Sequence, residues 1–123
     1  MLGQTRALGK RILLVEDDPS ARESLHLLLR IDRHVVVEAT NGREALDLFT
    51  QGQFDLVIVD YLMPEMQGNE LARQIKRMVP SQPVLMVTAY FEKMVDSDKP
   101  ADVILSKPFA VEDLRRTIAQ LVA

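Results

Sequence analysis

The chain has no cysteine among its 123 residues. Disulfide staples and thiolate metal sites are therefore excluded, and a reducing compartment suits it. It also lacks a block rich in lysine or arginine: 15 basic side chains stand against 18 acidic ones, for a net charge of -3. A mildly acidic domain without a basic stripe has no electrostatic grip on a phosphate backbone, so no nucleic acid is expected to bind this domain alone. No apolar run approaches the roughly 20 residues of a membrane span, and the opening "MLGQTRALGK" lacks the apolar centre of a signal peptide. The expectation is a soluble cytoplasmic domain with no membrane partner. Residues 1–9 read as a flexible leader or cloning remnant and 10–123 as one folded domain, because 47% hydrophobic residues suffice for a single core.

What the chain does have is five short apolar runs: "RILLV" at 11–15, "HVVVEA" at 34–39, "DLVIVD" at 55–60, "PVLMVT" at 83–88 and "DVILS" at 102–106. Their length and β-branched content predict strands, and the unbroken apolar character of four of them predicts cover on both faces. Helical patterns lie between them. Ala21, Leu25, Leu28 and Leu29 share one face, as do Leu71, Ile75, Met78 and Val79, and Val111, Leu114, Ile118 and Leu121. Asp18 before Pro19 reads as a helix N-cap, Asn41 caps the next helix, and Gly52 is placed to end that helix in a left-handed conformation. Regular strand–helix alternation predicts an α/β fold of three layers, with a five-stranded parallel sheet.

In such sheets ligands bind beyond the carboxyl ends of the strands. Glu16 and Asp17 follow the first strand there, Asp60 the third, Thr88 the fourth and Lys107 the fifth. Three converging carboxylates repel one another unless a cation joins them. Magnesium, which takes hard oxygen ligands and keeps several waters, fits that set. The same groups suit phosphoryl transfer, with Lys107 as a mobile positive charge, Thr88 as a hydroxyl donor and a central carboxylate as nucleophile. Asp18 is left outside the metal set as a cap. Met63 and Met66 read as packing, because nothing soft accompanies them. His26 and His34 belong to no ligand cluster and read as surface or packing residues.

The segments "VEDDP", "VDYLMPEMQG", "VTA" and "SKPF", in this order and at this spacing, resemble the receiver domain of two-component response regulators over residues 11–121. The resemblance implies a flavodoxin-like, chemotaxis-receiver-like fold with strand order 2-1-3-4-5. It implies that Asp60 accepts a phosphoryl group from a phosphohistidine in a magnesium-dependent reaction. The donor would be a sensor histidine kinase or a phosphotransfer protein, and an effector domain or downstream protein would read the change. Glu16 and Asp17 would be the acidic pair, the backbone carbonyl of Leu62 a further metal ligand, Thr88 the switch hydroxyl and Lys107 the phosphate-contacting lysine. Such a domain is a substrate that assists its own modification, not a turnover enzyme.

Three features depart from that pattern. Ile104 stands three residues before Lys107, where receivers usually carry an aromatic ring. Only 18 residues separate Thr88 from Lys107, which predicts a shortened helix between the fourth and fifth strands, anchored by Phe91, Met94 and Val95. Ala110 replaces a capping side chain before the last helix. Rival readings have weaker support. An aspartate-dependent phosphohydrolase would carry a second aspartate two residues after the nucleophile, where this chain has Leu62. A module that only binds partners would not need the intact carboxylates, Thr88 and Lys107. A dinucleotide-binding domain would need a glycine-rich turn after the first strand, and there is none.

Overall fold

The computed structural model describes residues 7–91 and 99–123. Five strands, β1 (Arg11–Val15), β2 (Val35–Ala39), β3 (Leu56–Asp60), β4 (Val84–Thr88) and β5 (Val103–Ser106), form one sheet in the order β2-β1-β3-β4-β5. All four pairings are parallel, with Leu13 opposite Val57 and Met86 opposite Ile104 among the register pairs. Helices α1 (Pro19–Ile31), α2 (Gly42–Gln51), α3 (Gly68–Met78) and α4 (Val111–Leu121) cover it. The expected three-layer architecture and the flavodoxin-like order are both present. Of the helix expected between β4 and β5, Phe91 is exposed, while Met94 and Val95 lie outside the described residues. Among the described residues no helix is long and apolar enough to cross a membrane.

The strands are apolar on both faces because each face has its own core. Leu13, Val15, Val57, Val59, Val84 and Met86 pack with Phe49, Leu71 and Ile75 from α2 and α3. Ile12, Leu14, Leu56, Ile58, Leu85 and Val87 pack with Leu25, Leu29, Leu114 and Ile118 from α1 and α4. Successive strand residues thus alternate between the two cores, as the two-residue period of a strand requires.

The helix starts follow their caps. Asp18 accepts a 2.8 Å hydrogen bond from the Ala21 amide, and Asn41 accepts one of the same length from Glu44. Ala110 makes no such bond, and α4 begins on two acidic residues that favour its dipole. Two sequence expectations fail at helix ends. Gly52 is extended, with φ -150° and ψ -178°, and is not left-handed; an added Cβ there would sit 3.3 Å from the Arg11 guanidinium, the movable end of a flexible side chain. Met78, Val79 and Val111 are exposed, because an apolar stripe extrapolated to a helix end runs past the edge of the sheet; Ala72 is buried beside Leu71 instead.

Arg33 has φ 63°, in the left-handed region. A side chain there costs roughly 1–2 kcal/mol, partly offset by the greater freedom of glycine in the unfolded chain. Arg33→Gly is expected to gain about 0.5 kcal/mol, read as a higher urea midpoint with an unchanged slope.

Candidate functional site

The carboxyl ends of the strands bring the acidic residues together. Carboxylate oxygens of Glu16, Asp17 and Asp60 all lie within 4.8 Å of one another. Glu16 is 1% exposed at the end of β1, while Asp17 and Asp60 are half-buried. The Glu16 backbone amide continues the sheet by donating to Ala39 O at 3.1 Å, and its Oε2 accepts from the Asp18 amide at 3.1 Å. Arg22 of α1 braces this turn: its Nη1 donates to the Glu16 carbonyl at 2.9 Å. Sequence reading missed Arg22, which carries no signal apart from lying one helical turn beyond the acidic pair.

Asp60 is held by its neighbours. Its Oδ1 accepts from the Tyr61 amide at 2.9 Å, and the Gly68 amide donates to Tyr61 O at 2.8 Å. Gly68 belongs there for lack of space: an added Cβ would stand 2.1 Å from Asp60 O and 3.1 Å from Tyr61 Cα. The first turn of α3 therefore rests directly on the Asp60 main chain. Met63 is buried in the core on the α2 and α3 side, and Met66 packs against the same core, as expected of packing residues.

Thr88 is fully buried, and its Oγ1 accepts from the Tyr90 amide at 2.9 Å. The Lys107 amide donates to Thr88 O at 2.8 Å, which carries the β4–β5 ladder one step beyond the strands. That bond places the lysine at the rim, where its Nζ lies 3.4 Å from Glu16 Oε1. The peptide bond from Lys107 to Pro108 is cis. Leu62 lies two residues past Asp60 with its side chain 39% exposed, and Tyr90 two past Thr88 at 43%. Ile104 packs on the core shared with α2 and α3. His26 pairs with Glu38 at 2.6 Å and His34 is buried at the other end of the sheet, so neither joins the site.

The electrostatics follow from burial. Glu16 is pushed up from 4.5 to about 7, first by desolvation and then by the charge of Asp60, against the Asp18 hydrogen bond and the Lys107 charge, which favour its ionised form. Burial also raises Asp60, against the opposing pull of Lys107. Burial and mutual repulsion thus disfavour ionising both carboxyl groups at once. Hard oxygens at this spacing fit a small divalent ion that neutralises them. The three carboxylates could hold such an ion beside the Lys107 ammonium, at one end of a doubly wound parallel sheet.

An apolar groove of about 410 Å³ opens next to Lys107, lined by Ala21, Leu25 and Leu28 of α1 and by Ala89, Pro108 and Phe109.

Comparison with known proteins agrees with this geometry. Residues 12–119 match the response regulator receiver domain family. Response regulator MprA of Mycolicibacterium vanbaalenii is 41% identical over 107 residues, covering 85% of this chain and 46% of that protein. The chain thus spans about half the length of the curated relatives it matches. Among solved structures, response regulator TrrA of Thermotoga maritima in complex with Mg2+ and BeF superposes with a TM-score of 0.86 at 35% identity, covering 91% of this chain and 98% of that one. The same regulator in complex with histidine kinase ThkA gives 0.85 at 35% identity, covering 93% and 99%. The chain belongs to the response regulator receiver domain family.

Proposed function

We propose that this receiver domain takes a phosphoryl group onto Asp60 from a phosphohistidine and passes the change on as a signal. The observation that carries it is the meeting of Glu16, Asp17 and Asp60 within 4.8 Å, with the Lys107 ammonium 3.4 Å from Glu16 and Thr88 at the adjacent strand end. An Asp60 oxygen bonds to phosphorus, the phosphorus–nitrogen bond of the donor breaks, and its electron pair leaves with the imidazole nitrogen. Glu16, Asp17, Asp60 and the backbone carbonyl of Leu62 would hold Mg2+, whose contribution is to neutralise charge on the phosphoryl oxygens. Lys107 meets one of those oxygens with its ammonium, and the Thr88 hydroxyl turns from the Tyr90 amide to donate to another. The domain is then a substrate assisting its own modification. A histidine kinase seated on the Thermotoga regulator supports that class of donor, and the greater length of the curated relatives supports an effector domain as reader.

The test is intact mass after incubation with a small phosphodonor and magnesium. The parent is expected to gain one phosphoryl group; Asp60→Asn, which keeps the shape without the nucleophile, is expected to gain none, as is the parent in excess chelator. An adduct on Asp60→Asn, or one indifferent to chelator, overturns the assignment.

Lifetime depends on water reaching the acyl phosphate in line with its bond. Leu62 and Tyr90 flank that approach with an apolar and an aromatic side chain, neither charged. The double variant Leu62→Asn, Tyr90→Glu is expected to lose its phosphate about tenfold faster, equivalent to roughly 1.4 kcal/mol of barrier. Dephosphorylation followed by mass after removal of the donor measures it, and equal or slower loss in the variant counts against shielding.

A further inference from the structure

At the amino ends of the strands, opposite Asp60, His34 is 5% exposed and its Nδ1 accepts the Lys10 amide at 2.9 Å. An acceptor nitrogen carries no proton, so the ring is neutral with its hydrogen on Nε2. Around this bond the chain before β1 is tied down. Gly9 N donates to Asp32 O at 3.0 Å, Val35 N donates to Lys10 O at 2.9 Å, and Ala7 packs on the core under α1 and α4.

We infer that His34 is a pH-sensitive latch: its neutral ring pins residues 7–10 to the start of β2, and its protonation in mild acid releases them. Adding a proton to Nδ1 turns an acceptor into a donor facing another donor. The Lys10 amide then loses its side-chain partner in a half-buried place, where an unmet N–H is costly. The neighbouring charges do not cancel this. Asp32 at the end of α1 and Asp55 before β3 favour the cation and Lys10 opposes it, but Asp32 is already held by Arg115 of α4 at 3.1 Å, and Asp55 accepts the Arg11 amide at 2.8 Å. Burial outweighs them and holds the ring below the usual histidine range.

Ring nitrogen and amide NMR of the native chain tests the idea. At about pH 7.5 the His34 proton is expected on Nε2. Between about pH 7.5 and 5.5, hydrogen-exchange protection of the Gly9, Lys10 and Val35 amides, corrected for intrinsic rates, is expected to fall several-fold, up to about tenfold, while that of Val57 to Val59 holds. His34→Asn keeps an acceptor oxygen near the Nδ1 position but does not titrate, so there the fall is expected to vanish. A proton on Nδ1 at neutral pH, protection indifferent to pH, or the same fall in His34→Asn overturns the latch. If that variant does not fold, the tautomer and the native pH series decide alone.

Discussion

Without divalent metal, the protein is expected to lose about 2–3 kcal/mol of stability between about pH 5 and pH 8. The cause is Glu16, whose folded-state value of about 7 lies above the 4.5 of the free side chain. The folded chain holds that proton more tightly than the unfolded chain does. The stabilisation is therefore complete below about pH 4.5 and is lost as the pH rises through about 7. Asp60, raised by the same burial, acts in the same direction. His34, held low, acts in the opposite one, its contribution being present above about pH 6.5 and lost as the pH falls. Urea unfolding in EDTA, followed by circular dichroism for the parent and for Glu16→Gln, separates them, because the histidine contribution cancels in the difference. That difference should grow with pH in favour of Glu16→Gln. Millimolar magnesium should reverse the slope for the parent, since a cation binds the ionised carboxylates and stabilises by mass action. A flat difference curve, or no response to magnesium at pH 8, would contradict the reading of this end of the sheet as a cation site.

Gly68→Ala is expected to destabilise the protein by about 3 kcal/mol, the upper end of what a steric insertion costs. Its sign is informative. In an unconstrained helix the same change gains up to about 1 kcal/mol from propensity. Here the new methyl would meet Asp60 O at 2.1 Å, and the obstacle is main chain, which has no rotamer to escape into. Either α3 lifts off or the end of β3 shifts. At roughly 4 °C per kcal/mol for a domain of this size, the melting temperature should drop by about 10 °C. If the end of β3 is what shifts, Asp60 moves with it, and the phosphorylation rate should also fall at temperatures where the variant is still folded. A melting temperature equal to or above the parent's would show that the contact yields easily and that Gly68 is not what seats α3.

How much of this was legible in the sequence depends on whether the signal was local. The central strands β1, β3 and β4 were visible because parallel strands covered on both faces are apolar at nearly every position, β2 and β5 were visible by their β-branched content, and Asp18 and Asn41 because caps act within one turn. The candidate site was visible in its residues, since the carboxyl ends of parallel strands share one side of the sheet. Less legible were facts that depend on distant packing. The partner of Gly68, the main chain of Asp60, is evident only once α3 is seated. Nothing near Lys10 announces that its amide will find a histidine 24 residues away. Met78, Val79 and Val111 show the complementary error: a helical period says which way a residue points, not whether the sheet extends that far.

The Lys107–Glu16 contact joins side chains 91 residues apart. A parallel sheet has no hairpins, so each pairing waits for a crossover to close, and contacts of such span form late on the folding route. The ammonium reaches the acidic end only after β5 has docked on β4. A nascent or partly unfolded chain therefore carries Asp60 without its full set of neighbours, and chemical competence coincides with completion of the fold.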